Sequence, residues 1–187
     1  MPAIKWLRQR VFRSTVMEGF LNPTEILRQL DLRDYWIAAD FGCGSGGWVI
    51  PLAKRLKEGK VYAIDVLEEQ LSVLGAKINS EKIFNIQTIK ANVEKGSSLA
   101  QNSIDLVIMT NLLFQTEDKK SVLEEGKRVL KSGGKLLVID WNMGTALGPK
   151  EGRISADEIK RMAQGLELKL EKEFEAGMYH YGLVFAK

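Results

Sequence analysis

The chain has 187 residues, 45% apolar and 27% charged, with a net charge of +3, the proportions of one soluble domain with a sizeable core. No run approaches the ~18 consecutive apolar residues of a membrane-spanning helix. Met1 to Arg13 interleaves bases with apolar residues where a secretion signal would be apolar, so the expected location is the cytoplasm. One cysteine, Cys43, and one histidine, His180, exclude an internal disulfide and leave no ligand set for structural zinc, so no metal is expected.

Charge is concentrated at the start. Lys5, Arg8, Arg10 and Arg13 against Glu18 account for the whole surplus, and residues 21–187 balance. With Trp6, Leu7, Val11 and Phe12 they make residues 1–21 a basic amphipathic segment, read as a lid over an acceptor pocket. Contact with anionic lipid, RNA or an acidic protein is the alternative. No aromatic-interleaved basic stripe follows it, which favours the lid.

Asn22-Pro23-Thr24-Glu25 predicts a helix start, with Asn22 as cap, Pro23 in the first helical position and Glu25 closing a capping box. That helix runs to about Leu30 and presents Ile26, Leu27 and Leu30 on one face. Ile37 to Phe41 predicts a strand; Trp48, Val49, Leu52, Ala53 and Leu56 then recur at helical spacing, with Pro51 acceptable in the first turn. Val61 to Val66 predicts a second strand, Glu68 to Ile78 a helix, Ile86 to Ala91 a third strand and Ile104 to Thr110 a fourth. Such nearly unbroken apolar runs belong to a parallel sheet covered on both faces. Glu117 to Leu130 predicts a helix stopped by Lys131-Ser132-Gly133-Gly134, and Lys135 to Ile139 a fifth strand. After a loop through Pro149, Ser155 to Gln164 reads as a helix with Ser155 as cap and Glu158 three residues on. Leu166 to Phe174 and Tyr179 to Ala186, joined by a Glu175-Ala176-Gly177 turn, predict an antiparallel pair. The fold class is α/β, a Rossmann-like doubly wound seven-stranded sheet, mostly parallel, with residues 22–187 as one domain.

In such a sheet ligands bind at the carboxyl ends of the strands. The first strand ends in Asp40 and a loop with glycine at 42, 44, 46 and 47. Glycine tolerates positive φ and lets backbone approach a ligand, so a nucleotide-like cofactor is the first expectation. The spacing Gly42-x-Gly44-x-x-Gly47 alone also fits a dinucleotide. Asp65 closes the second strand 23 residues after Gly42, where a carboxylate can accept both hydroxyls of an adenosine ribose. Val66 and Leu67 can then pack on the adenine face, and Asn92 with the Val93 backbone can pair with its edge.

At these residues the chain resembles the class I S-adenosylmethionine-dependent methyltransferases, particularly the small enzymes related to ubiquinone and menaquinone biosynthesis. Four ordered motifs carry the resemblance: Ala39-Asp40-Phe41-Gly42-Cys43-Gly44-Ser45-Gly46, Ala63-Ile64-Asp65-Val66, Ser103-Ile104-Asp105-Leu106-Val107-Ile108 and Leu130-Lys131-Ser132-Gly133-Gly134-Lys135-Leu136. It extends over about residues 22–187, with Tyr179 to Phe185 matching a reversed last strand. The resemblance implies S-adenosyl-L-methionine as cofactor. It places Asp40, Gly42, Cys43, Gly44, Ser45 and Gly46 around the methionine moiety, Asp65 on the ribose, Asn92 and Val93 at the adenine, and Asn111, Leu112 and Gln115 beside the sulfonium. Asn92 stands where many relatives have aspartate, and Gln115 where they often have histidine, so no imidazole base is assumed.

Simpler roles compete with these. Asp40 can cap the following helix, Asp65 can merely end a strand, and Asp105 opens the fourth strand far from the ligand edge. Cys43 lacks a neighbouring base for nucleophilic catalysis; His180, between Tyr179 and Tyr181, reads as a packed histidine, and Trp48 and Trp141 as core or cleft wall. A short-chain dehydrogenase would need a Tyr-x-x-x-Lys pair, and the residues four after Tyr35, Tyr62, Tyr179 and Tyr181 are Ala39, Val66, Leu183 and Phe185. The expected function is methyl transfer to a small-molecule acceptor of unknown identity, with no catalytic residue assigned. A protein or RNA acceptor, or a non-catalytic cofactor-binding protein, are the alternatives. Oligomeric state is not legible.

Overall fold

The computed structural model describes residues 21–187. The expectations for residues 1–20 lie outside the described residues. In chain order the elements are α1 (Pro23–Arg28), β1 (Ile37–Phe41), α2 (Val49–Arg55), β2 (Lys60–Asp65), α3 (Glu68–Glu81), β3 (Ile86–Lys90), β4 (Ile104–Thr110), a 3-10 turn (Leu113–Gln115), α4 (Lys119–Val129), β5 (Leu130–Trp141), α5 (Ala156–Gly165), β6 (Lys169–Glu175) and β7 (His180–Ala186). The sheet order is β3-β2-β1-β4-β5-β7-β6. β1 to β5 are parallel; β7 runs antiparallel to both β5 and β6, so it alone is reversed.

Side chains alternate across this sheet and fill two apolar layers. Ala39, Phe41, Val107 and Met109 meet Val122, Leu123, Ile159 and Ala163 of α4 and α5 on one face. Ala38, Leu106 and Ile108 meet Ile26, Leu27, Leu52, Leu71 and Leu74 of α1 to α3 on the other. Helices on both faces make the fold doubly wound, as expected. Only the edges are thin: β6 is largely exposed and charged, which suits an edge strand that must not pair with another chain.

Local chemistry explains the helix starts. Asn22 Oδ1 accepts from Thr24 N and Glu25 N, so Glu25 contributes its amide to the cap, and α1 ends at Arg28 rather than Leu30. At α5 the Ser155–Glu158 capping box is present in both directions.

Two further differences from expectation have a clear physical reason. Lys131 to Gly134 is not a loop: β5 begins at Leu130, and the register slips between Ile104 and Leu106, making a bulge. The bulge closes on the chain's last residue, with Gly133 N donating to Lys187 O and Gly134 O accepting from Lys187 N. Gly133 takes φ +75° there, a conformation glycine adopts without steric cost. Leu166 to Leu168 is likewise not strand; Leu166 N still donates to Met162 O and Glu167 sits at φ 57°, so β6 starts at Lys169.

Candidate cofactor and acceptor site

Every expected cofactor residue lies at the carboxyl edge of the sheet, in the last residues of β1 or β2 or just after β1, β2, β3 or β4. The glycine loop is anchored through its backbone: Gly42 N and Cys43 N both donate to Ile64 O, at 2.8 and 3.0 Å. Asp65 ties the next step, its Oδ2 accepting from Gly44 N at 2.8 Å and its Oδ1 from Leu67 N at 2.9 Å. Each carboxylate oxygen keeps acceptor capacity beyond that one bond. Lys77 of α3 holds the far side, donating to Ser45 O at 2.7 Å.

Glycine is required at particular points. Gly42, Gly44 and Gly46 have φ of +74°, +51° and +93°. A Cβ on Gly46 would lie 2.5 Å from Leu74 Cδ1, and one on Gly42 2.8 Å from Leu112 Cδ1. At Gly47 a Cβ would meet nothing within 4 Å. In a dinucleotide site the third glycine serves close helix–strand packing. Gly47 has no such contact, so the structure gives the dinucleotide spacing no support.

Asp40 ends up 1% exposed at the foot of this loop, and neither carboxylate oxygen has a hydrogen-bond partner among the described residues. It therefore does not cap α2. Burial, reinforced by the charge of Asp65, holds its carboxyl well above the usual range. Unpaired buried acceptors are costly, so this position calls for a donor or a cation. The ammonium of an amino-acid moiety has that chemistry, and the open space beside Gly47 leaves that end of the loop accessible; the residues present fit S-adenosylmethionine.

At the β3 exit Asn92 Oδ1 accepts from Glu94 N at 2.9 Å, an Asx turn that uses part of the acceptor capacity assigned to adenine. Val93 is buried in the core, so only its backbone is available. Val66, by contrast, is 54% exposed at the β2 exit. After β4, Asn111 has φ 51°, its N donates to Ile139 O, and its buried Oδ1 has no partner among the described residues. Gln115 Nε2 donates to Asn111 O at 2.9 Å. Leu112 faces the glycine loop, as its approach to Gly42 shows.

Several expected side roles are resolved. Asp105 accepts from Ile37 N and pairs with Lys131, structural work at the opposite edge. Cys43 is buried, and desolvation with Asp40 and Asp65 pushes its thiol up, away from thiolate character. His180 is fully buried with its ring centroid 4.1 Å from that of Trp141, and burial with Arg153 lowers it to about 4. Among the described residues no cluster of three His, Cys, Asp or Glu is placed for a metal, and no helix is long and apolar enough to cross a membrane.

The loop from Trp141 to Ser155, expected with Leu112 to Glu117 and the N-terminal segment to line an acceptor pocket, holds side chains that the sequence did not single out. Arg153 donates to Asn142 O, Thr145 Oγ1, Leu147 O and Pro149 O and lies over Trp141, shaping the loop after β5. That loop lines an open cavity of about 450 Å³ with Met143, Thr145, Ala146, Lys150 and Arg153. Asp140, 1% exposed at the β5 exit, accepts from Phe114 N and Trp141 N. It has the signature of Asp65, an acid ending an apolar run.

Comparison with known proteins agrees with this geometry. The family model described as "Methyltransferase domain" matches residues 39–138. The chain is 30% identical over 131 residues to demethylmenaquinone methyltransferases of Bacillus mycoides and Bacillus cereus, matching 70% of this chain and 55% of each relative. It thus spans little more than half the length of these curated relatives. A crystal structure of a SAM-dependent methyltransferase from Aquifex aeolicus superposes with a TM-score of 0.82 at 28% identity, covering 89% of this chain and 90% of that one. The chain belongs to the methyltransferase domain family, as a class I member of the S-adenosylmethionine-dependent type.

Proposed function

We propose that this protein is an S-adenosylmethionine-dependent methyltransferase that acts on a small-molecule acceptor in the cytoplasm. The observation that carries the reading is the buried carboxyl of Asp40, without a hydrogen-bond partner among the described residues, beneath a glycine loop that Asp65 holds by its backbone. Asp65 takes the ribose hydroxyls, Val66 and Leu67 the adenine face, Asn92 and the Val93 backbone its edge, and Asp40 with residues 42–46 the methionine moiety. Asn111, Leu112 and Gln115 flank the sulfur. When bound, the cofactor supplies a methyl group already activated by a sulfonium leaving group, so an acid or base in the protein is optional. The chain's own contribution is to orient the acceptor and exclude water. This agrees with Cys43 and His180 both being unsuited to proton or nucleophile chemistry.

For the acceptor, the activity for which the Bacillus demethylmenaquinone methyltransferases are named makes quinone-type molecules the first class to assay. The cavity beside Trp141 and the basic segment at 1–21, read as a lid, are the parts that would shape its pocket. Calorimetry with S-adenosylhomocysteine and with NAD, followed by transfer of labelled methyl to quinols, other metabolites, peptides and RNA, tests the reading. Tighter binding of NAD overturns it. Tight S-adenosylhomocysteine binding with no product from any panel points to a non-catalytic binder, and transfer to RNA or protein that weakens steeply with salt replaces the small acceptor.

A further inference from the structure

The turn after β4 touches both halves of the carboxyl edge. On one side Leu112 lies against Gly42 of the cofactor loop; on the other, the backbone oxygen of Phe114 lies so close to Gly152 that a Cβ there would collide with it. Between them Asp140 anchors the turn from the end of β5. Its Oδ2 accepts from Phe114 N at 3.2 Å, and its Oδ1 accepts from Trp141 N at 2.8 Å. The two amide bonds fix both carboxylate oxygens in this geometry, and removing one acceptor would strand a partly buried N–H.

We propose that Asp140 is a positioning residue that sets the Asn111–Gln115 turn as a common wall, so that the β5–α5 loop on the acceptor side controls how the cofactor loop binds. This rests on the functional reading above for what the turn faces. Asp140 itself touches neither ligand: it is 1% exposed and acts through the backbone of Phe114. Gly152 has φ +78° and belongs to the acceptor loop, yet its packing against Phe114 O makes it the second support of the same turn. Both halves of the site then share one element with a defined position, which is the physical requirement for coupling between them.

The test uses the full chain at neutral pH, with Asp140→Asn and Gly152→Ala. The amide variant keeps the shape but turns one of the two acceptor positions into a donor; the alanine pushes the turn from the opposite side. Hydrogen exchange in the ligand-free protein should rise at residues 113–115 in Asp140→Asn while the β1 and β4 amides stay protected. S-adenosylhomocysteine affinity should fall about fivefold in either variant, the scale of modest coupling energies. Unchanged exchange at 113–115 overturns the clamp. Wild-type affinity in Gly152→Ala overturns the shared wall, and this variant keeps the proposal open to refutation if Asp140→Asn fails to fold. Exchange that rises uniformly over the sheet shows a merely structural role and also overturns it. Failure of the wild type to bind S-adenosylhomocysteine would instead sink the functional reading, leaving the exchange result to judge the clamp.

Discussion

The two halves of the carboxyl edge are held together by different means. On the β1–β2–β3 side, short turns hang on neighbouring strand ends through backbone amides: Gly42 and Cys43 on Ile64 O, Gly44 and Leu67 on Asp65, Ala91 on Asp65 O. On the β4–β5 side a loop from Asn142 to Ile154 is organised by side chains: Arg153 and Thr145 within it, and Tyr181, whose hydroxyl donates to Ile154 O. Turns made from backbone on rigid strands hold one ligand in one place. A loop tied by a side chain can change its lining without disturbing the sheet. The first construction suits an unvarying cofactor and the second a variable acceptor, which is why cofactor chemistry is easier to read here than acceptor chemistry.

The strongest way to break that division is Asp65→Ala. It removes the acceptor proposed for the ribose and the anchor of Gly44 N, so S-adenosylhomocysteine binding should weaken by about 1.5 to 3 kcal/mol, the range for hydrogen bonds to a charged group. Calorimetry giving wild-type affinity would take Asp65 out of the site.

A pH series sharpens it next. Burial raises Asp140 from 3.8 to about 6, so the folded chain keeps a proton that the unfolded chain has released. Its contribution to stability is therefore fully present below about pH 4 and is lost as pH rises through about 6. His180, lowered from 6.5 to about 4 by burial and Arg153, has the opposite sign: its contribution is present above pH 6.5 and lost as pH falls towards 4. The two oppose each other in the same window. Asp140→Asn removes the gain on acidification, so its stability relative to wild type should fall by on the order of 2 kcal/mol between pH 6 and pH 4. Urea unfolding across that range reads the difference, and a constant offset at every pH would show that Asp140 does not titrate there.

Smaller still is the effect expected from Arg153→Ala. Its guanidinium is partly exposed, so losing its carbonyl bonds should cost about 1 kcal/mol of stability and loosen residues 142–149. S-adenosylhomocysteine affinity should stay within about twofold, because the loop meets the turn after β4 through Gly152 on Phe114 O, which this substitution leaves in place. A loss as large as that of Asp65→Ala would mean the two halves cannot be separated.

What sequence reading reaches follows the same line. β1, the glycine loop and Asp65 are legible because an apolar run ending in acid and glycine is a local pattern. The spacing ends β5 at Ile139, one residue short of Asp140, and stops α4 with Gly133-Gly134. The bulge that carries β5 through those glycines closes on Lys187, far away in the chain. Arg153 and Lys77 are invisible for a related reason: most of their partners are backbone carbonyls, which every residue has, so no residue pattern marks them. Asp140 did carry a signal, since Leu136-Leu137-Val138-Ile139-Asp140 repeats the form of Val61 to Asp65.

Removing residues 1–16 should have the smallest effect on the fold and tests the acceptor side alone. Those residues hold every surplus positive charge together with Trp6, Leu7, Val11 and Phe12. α1 is capped by Asn22 on Thr24 and Glu25, and its buried residues Ile26 and Leu27 pack into the α1–α3 layer, all within what a shortened chain retains. The truncated protein should therefore melt within a few degrees of the full chain and bind S-adenosylhomocysteine with nearly unchanged affinity. A lid acts by excluding water and orienting the acceptor, so turnover should drop once a methylated acceptor is in hand. Unfolding on truncation would make the segment structural, and full turnover would remove the lid. Turnover of the full chain that falls with salt towards the truncated level, while the truncated protein stays insensitive to salt, would identify the four bases, rather than the apolar residues, as what the acceptor meets.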